Sequence, residues 1–224
     1  YKSMRNIYLL ILCLFVFSEV FAQKTRGKRG INYTKEAKKL GKDGWRSGTM
    51  EALQFQIQAF YDIRNMRDDE GRRTNIFGVG FAEDNSKSVG YQAARDLAKA
   101  DIAGKLETEI RAVTKIDQRS DPVANSLNDI VIVTTALVKQ KITPEDIYIR
   151  ERDTGRKNSM GKPVFEYEVG MFMNFENVAK LHMQLMRDEV NRNAAKEVRD
   201  EYEKFLKDGL YDEVRSNVDS TEEN

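Results

Sequence analysis

Few side chains in this sequence are of the types that do covalent or acid–base chemistry. The 224 residues hold one histidine and one cysteine. His182 would be the base of any Ser–His–Asp arrangement, but it stands in "VAKLHMQLM" at a helical surface or flank position and reads as structural. A zinc site needs several His or Cys ligands, so that chemistry is excluded. Asp68, Asp69 and Glu70 bring carboxylates together without the Asp-x-Asp-x-Asp-Gly spacing of a calcium loop, and a solvated turn explains them. Glu166 and Glu168 fall on the solvent side of a strand whose other side is apolar. Paired carboxylates suit glycoside hydrolysis, yet nothing else in the sequence accompanies them. Gly78-x-Gly80 follows an apolar run, as a nucleotide-binding loop would. A dinucleotide fingerprint needs a third Gly or Ala where this chain has Glu83, and a helix N-terminus at once. Here Asp84 follows, the helical pattern starts only near Ser88, and no Gly-Lys-Ser/Thr is present. The two glycines therefore mark a strand face on which a helix packs. No catalytic, metal or cofactor-binding residue is expected, and the protein reads as a non-enzyme.

The N-terminal residues carry an address. Met4 is read as the initiator, followed by Arg5, an apolar run from Ile7 to Phe17, and Val20 and Ala22 as small residues before a signal-peptidase cut. A transmembrane anchor needs roughly 20 apolar residues, more than this run supplies. Residues 1–22 are thus expected to be a signal peptide and the mature chain to begin at Gln23 with no transmembrane helix. The protein would be exported to the periplasm, the outer membrane or the exterior. Cys13 is followed by Leu14-Phe15-Val16-Phe17 rather than polar sequence, so lipidation there is not expected. The mature chain then lacks cysteine and forms no disulfide.

Charge is balanced in sum and segregated in sequence. Without residues 1–22 the chain has 35 basic and 35 acidic residues. Gln23 to Gly48 carries nine Lys or Arg against Glu36 and Asp43, whereas Glu197 to Asn224 carries ten acids against four bases. Such asymmetry suits an arm that meets an anionic surface, or an attraction between the two ends. Lys24, Arg26, Lys28 and Arg29 are the candidate anion contacts, toward a lipid headgroup or a polysaccharide. Export argues against nucleic acid as the partner.

Hydrophobic periodicity supplies the elements. Met50, Leu53, Ile57, Phe60 and Tyr61 recur at three and four, predicting a helix that ends near Gly71. Thr74 to Ala82 alternates, with Ile76, Gly78, Gly80 and Ala82 forming a smooth face. From Ser88 as N-cap, Ala94, Ala98, Ile102, Leu106 and Ile110 fall four apart. With Ala93, Ala103 and Gly104 they predict a helix that approaches that face closely, which would offset the intrinsic cost of Gly104, about 1 kcal/mol against Ala. Asp121-Pro122 is an N-cap with proline at the first helical position. "EDIYIRERD" and "PVFEYEVGMFMNF" flank a glycine-rich turn and predict a hairpin, with Phe165, Tyr167, Val169, Met171, Met173 and Phe175 on one side. A long helix then runs from Asn174 or Glu176 through Leu206.

A strand ending in Gly-x-Gly-x-Ala, then "AARDLAKADIAGKLETEI", a second helix and a hairpin, resembles the Lpp-twenty lipoprotein family of bacterial envelope proteins. The likeness spans about Lys35 to Leu185, is firmest from Gly78 to Ile110, and extends to an exported branch with a segment like Gly44-Trp45 before the strand. It implies a Gram-negative envelope or secreted protein without known catalysis, though the lipobox of the anchored members is missing. The expected fold is α+β: an antiparallel sheet of about three strands covered by long helices, with an extra N-terminal helix and an extended C-terminal one. The expected division is a signal peptide (1–22), a basic flexible segment (23–48), an α+β domain with a leading amphipathic helix (49–190), a C-terminal helix extension (191–215) and an acidic disordered tail (216–224). Function is expected to be a protein-interaction or structural role in the envelope, using the stripe Val198, Tyr202, Phe205 and Leu206 or a sheet edge toward a protein partner or a second copy. The alternative is salt-sensitive binding of an anionic envelope ligand through the basic segment.

Overall fold

The computed structural model describes residues 30–115, 118 and 120–221, with side chains to Arg215. The expected signal peptide (1–22), residues 23–29 of the expected basic segment and residues 222–224 lie outside these. Among the described residues the elements run α1 (Tyr33–Lys42), β1 (Arg46–Ser47), α2 (Leu53–Arg64), β2 (Asn75–Asp84), α3 (Lys87–Thr114), α4 (Pro122–Lys141), β3 (Glu145–Lys157), β4 (Pro163–Asn174), α5 (Phe175–Asn193), α6 (Lys196–Lys207) and α7 (Leu210–Thr221). The class is α+β, and the sheet is antiparallel in the order β1-β3-β4-β2.

The expected hairpin is β3–β4, and β2 closes on its far side with Gly78 opposite Met171 and Gly80 opposite Val169. The smooth face of β2 lies under α3. A Cβ on Gly78 would sit 2.1 Å from the Ala98 carbonyl oxygen, and one on Gly80 1.9 Å from that of Ala94. The alanines and the glycines therefore set the helix–strand distance together. Gly104 does not share in this, since a Cβ there meets nothing within 4 Å. Tyr167, Val169, Met171 and Phe175 join Ile102, Leu106, Leu127 and Val131 in the main core. Helix α4 begins as expected: Asp121 accepts the Ala124 N–H at 2.9 Å and Pro122 opens the first turn.

Several boundaries differ from expectation. The sheet has four strands, because Arg46–Ser47, too short to give a periodic signal, pairs with Glu151 and Arg150. Residues 33–47 of the segment expected to be flexible are helix α1 and strand β1 with the turn between them. Helix α2 stops at Arg64, and residues 66–74 form a closed loop in which Asp68 accepts the Arg72 N–H at 2.8 Å and Gly71 turns at φ +82°. Helix α3 starts two residues early, after Ser86. The second sheet face is not simply solvated: Phe77, Ile147 and Tyr148 form a smaller core there with Phe60 and Ile63 of α2.

The long C-terminal helix is three helices. Ala194 and Ala195 are extended, at ψ 146° and 163°, and Gly209 turns at φ +80°. A straight helix rises 1.5 Å per residue and would carry its end off the domain. The two breaks instead fold α6 and α7 back, so that Val198, Tyr202, Leu210 and Val214 enter the main core. The expected disordered tail is helical in backbone as far as Thr221.

Candidate functional site

Helix α1 is built as a two-sided bar. Asn32 caps it, accepting the Lys35 N–H at 3.0 Å. Tyr33 is buried and stacks on Tyr61 at 5.9 Å between ring centroids. Burial, with Asp62 and Tyr61 nearby, pushes the Tyr33 hydroxyl pKa up. Ala37 and Leu40, four and seven residues on, are half-buried on the same side, and the Thr34 hydroxyl donates to Gln54 Oε1 at 3.5 Å. Lys35, Lys38, Lys39 and Lys42 recur at three, four and seven, so they form one stripe, opposite the anchored side. All four are exposed, as is Arg46 just beyond. Lys39 and Lys42 also sit in the last turn, where cations favour the helix dipole. The sequence reading missed this stripe because it took the lysines as part of a flexible run. Tyr33, Ala37 and Leu40 were the signal that one side is anchored. Lys24, Arg26, Lys28 and Arg29 lie outside the described residues.

The second sheet face carries a ladder of opposed charges. Glu168 accepts the Tyr148 hydroxyl at 2.8 Å and faces Arg150 at 3.7 Å, whose guanidinium lies 4.0 Å from the Tyr148 ring centroid. Burial first, then the Glu168 carboxylate, pushes the Tyr148 pKa up. Next along, Arg152 pairs with Glu166 at 2.6 Å and stacks 4.7 Å over buried Trp45. Arg156 pairs with Glu83 beyond. Asp43, Glu83, Arg152, Asp153 and Glu166 border a shallow cavity of about 330 Å³ here. Glu166 and Glu168, expected on an open face, are thus each held by a guanidinium and mostly screened from water. Asp68 and Glu70 are likewise ion-paired to Arg72.

The C-terminal stripe is spent internally. Val198 is 3% and Tyr202 0% exposed, and Phe205 and Leu206 pack half-buried against the same core. It is therefore not the docking surface expected, because the break at Ala194–Ala195 turns it inward. Between α5 and the α6–α7 turn lies a groove of about 380 Å³ bordered by Lys180, Met183, Arg187, Leu206, Tyr211 and Arg215. His182 is fully buried, not at the surface, with Nδ1 2.9 Å from the Tyr211 hydroxyl. Burial pushes its pKa down to about 4. Arg215 binds Asp68 at 3.0 Å and donates to the Arg73 carbonyl at 2.9 Å. Burial alone would raise the Asp68 pKa, but hydrogen bonds from Arg72 and the nearby Arg215 hold it below the ordinary carboxylate value.

The outer edge of β2 is engaged as well. Asp101 accepts the Val79 N–H at 2.9 Å, and Lys105 donates to the Phe77 carbonyl at 2.9 Å. These two side chains of α3 occupy groups that an added strand would need. Among the described residues no three His, Cys, Asp or Glu side chains cluster to hold a metal, and no helix is long and apolar enough to cross a membrane. Comparison with family models, curated proteins and solved structures yields no match.

Proposed function

We propose that the protein is an exported, non-enzymatic cell-envelope protein that binds an anionic envelope surface through its basic N-terminal segment. The observation that carries this reading is the ordered lysine stripe of α1, fixed to the domain by Tyr33 and turned outward. The stripe continues a run that already holds Lys24, Arg26, Lys28 and Arg29. The non-enzymatic part of the proposal is supported by the sheet carboxylates being bound to arginines and by the one histidine being buried against Tyr211. Likeness to the Lpp-twenty family belongs to the same proposal, resting on the Gly-x-Gly strand and alanine-rich helix.

A second reading, docking of a protein partner, draws on exposed Ile132 and Val133 on α4 rather than on the C-terminal stripe. Cell fractionation separates the two. The first predicts that the protein stays with the membrane fraction, leaves it in high salt, and has an unlipidated N-terminus at Gln23. Retention in high salt together with one stoichiometric protein would favour the second. Release by detergent alone, with a lipid mass increment at Cys13, would overturn the proposal in favour of a lipid anchor.

A further inference from the structure

We infer that the groove between α5 and the α6–α7 turn binds a single-chain amphiphile with one anionic head, a fatty acid in chemical class. The inference goes beyond the anion-binding reading, since the groove lies on the main-core side of the sheet, away from α1. One wall is α5. Phe175, Ala179, Met183 and Arg187 recur at four along it, and all border the groove. At 1.5 Å per residue they span roughly 18 Å, three apolar side chains followed by a guanidinium. The facing wall brings Leu206 and Tyr211 from either side of the Gly209 turn, both half-buried. That wall is fixed in place, because the Tyr202 hydroxyl donates to the Met183 carbonyl at 3.2 Å and the Tyr211 hydroxyl meets His182 Nδ1 at 2.9 Å.

The charges at the border decide which head the groove takes. Lys180 is paired with Glu176. Arg215, 5.8 Å from the Phe175 ring centroid at the other end of the stripe, is engaged by Asp68 and the Arg73 carbonyl. Arg187 is exposed and, among the described residues, is the one border cation with no carboxylate paired to it. A fatty acid sets its carboxylate on that guanidinium and its chain along Met183, Ala179 and Phe175, matching charge and apolar length together. A polyanion would meet the carboxylates of Glu176 and Asp212, which also stand at the border. A sugar finds no free hydroxyl, because that of Tyr211 is committed to His182. The volume, about 380 Å³, is that of a small-molecule site.

The test is isothermal titration calorimetry of the whole chain with monomeric dodecanoate, and with the shorter decanoate and octanoate. One site should saturate, and affinity should fall by about fourfold for each methylene removed. Dodecyltrimethylammonium, with the same chain and the opposite charge, should bind more weakly by about tenfold or more. Arg187→Gln should lose about ten- to hundredfold in affinity for dodecanoate, the worth of a charge-assisted hydrogen bond, while Arg187→Lys retains most of it. Met183→Glu sets a carboxylate in the path of the chain and should abolish binding. Arg187 is exposed, so its variants should melt as the wild type does. The apolar run 7–17 is common to the wild type and the variants, so the difference between them reports the groove.

Several outcomes would overturn the proposal. Equal affinity for dodecyltrimethylammonium and dodecanoate would mean that the groove does not read charge. Unchanged affinity in both Arg187→Gln and Met183→Glu would place the ligand elsewhere on the chain. Indifference to chain length, or full competition by inorganic phosphate, would leave an anion site and remove the fatty acid. If an acetylated leucine tripeptide, which also joins apolar groups to one carboxylate, binds more tightly than dodecanoate, the occupant is the end of a protein chain instead. Absence of saturable heat with dodecanoate would sink this inference alone, because the anion-binding reading rests on the lysines of α1 and has its own salt-wash test.

Discussion

His182 shows how one side chain can set the pH dependence of the domain. Its ring is fully buried beside Val178, Ala179, Leu185 and Met186, with Tyr211 as the partner of Nδ1 and no partner at Nε2. Charging it there would strip an imidazolium of water, so burial holds its pKa at about 4 against an ordinary value of 6.5. Between those values the unfolded chain binds the proton and the folded chain does not, so stability rises with pH across the window. The contribution is complete above about pH 6.5 and is lost as pH falls through 4, amounting to roughly 3 kcal/mol. His182→Gln can keep a hydrogen bond to Tyr211 and has no proton to take up. Urea midpoints at neutral pH and near pH 4 should therefore fall further for the wild type than for the variant. The carboxylates titrate alike in both proteins and cancel in the comparison. Equal losses would mean that water reaches the ring and that its pKa is ordinary.

At the scale of elements, the pairing of β2 with α3 is decided by the absence of side chains. Gly78→Ala or Gly80→Ala would drive a methyl against a backbone carbonyl of α3, which has no rotamer to yield, so the helix must lift from the sheet. Thermal melts should show a loss of about 3 kcal/mol or more for either change. Gly104 is the internal control: on the same helix but with open space around its Cβ, Gly104→Ala should stabilise by about 1 kcal/mol. Destabilisation at all three positions would mean that α3 is sensitive to sequence everywhere and that the close approach is not the cause. The glycines and alanines of this contact were legible beforehand, as were the Asp121-Pro122 cap and the β3–β4 hairpin, because each is written in local residue types. The breaks at Ala194–Ala195 were not. Alanine is the best helix former, and only the burial of Val198 and Tyr202 in a distant core explains why the chain leaves the helix there. The candidate site was half legible. The lysines were counted as charge, but their register against Tyr33, Ala37 and Leu40 has meaning only once α2 is present to receive those three.

At the scale of the whole molecule, the sheet separates two layers with different duties. Helices α1 and α2 lie over the charged face, while α3 to α7 share the main core on the other. The lysines of α1 and the carboxylates of α6 are thus kept on opposite sides of the sheet. Arg215 ties the layers together at one end. Its guanidinium reaches Asp68 and the Arg73 carbonyl, 142 positions earlier, in the loop that joins α2 to β2. Arg215→Ala leaves that carbonyl without its donor and Asp68 with Arg72 alone, a loss of about 1–3 kcal/mol. Leu210 and Val214 still hold α7 by burial, so the variant should fold. What should change is the order of opening: amide exchange in α7 and in residues 66–74 should quicken together, while α3 and α4 stay protected. Faster exchange in α7 alone would show that the loop is held by Asp68 and Arg72 without help. Uniformly faster exchange would show that the domain opens as one unit and that Arg215 contributes to global stability instead of joining its two ends.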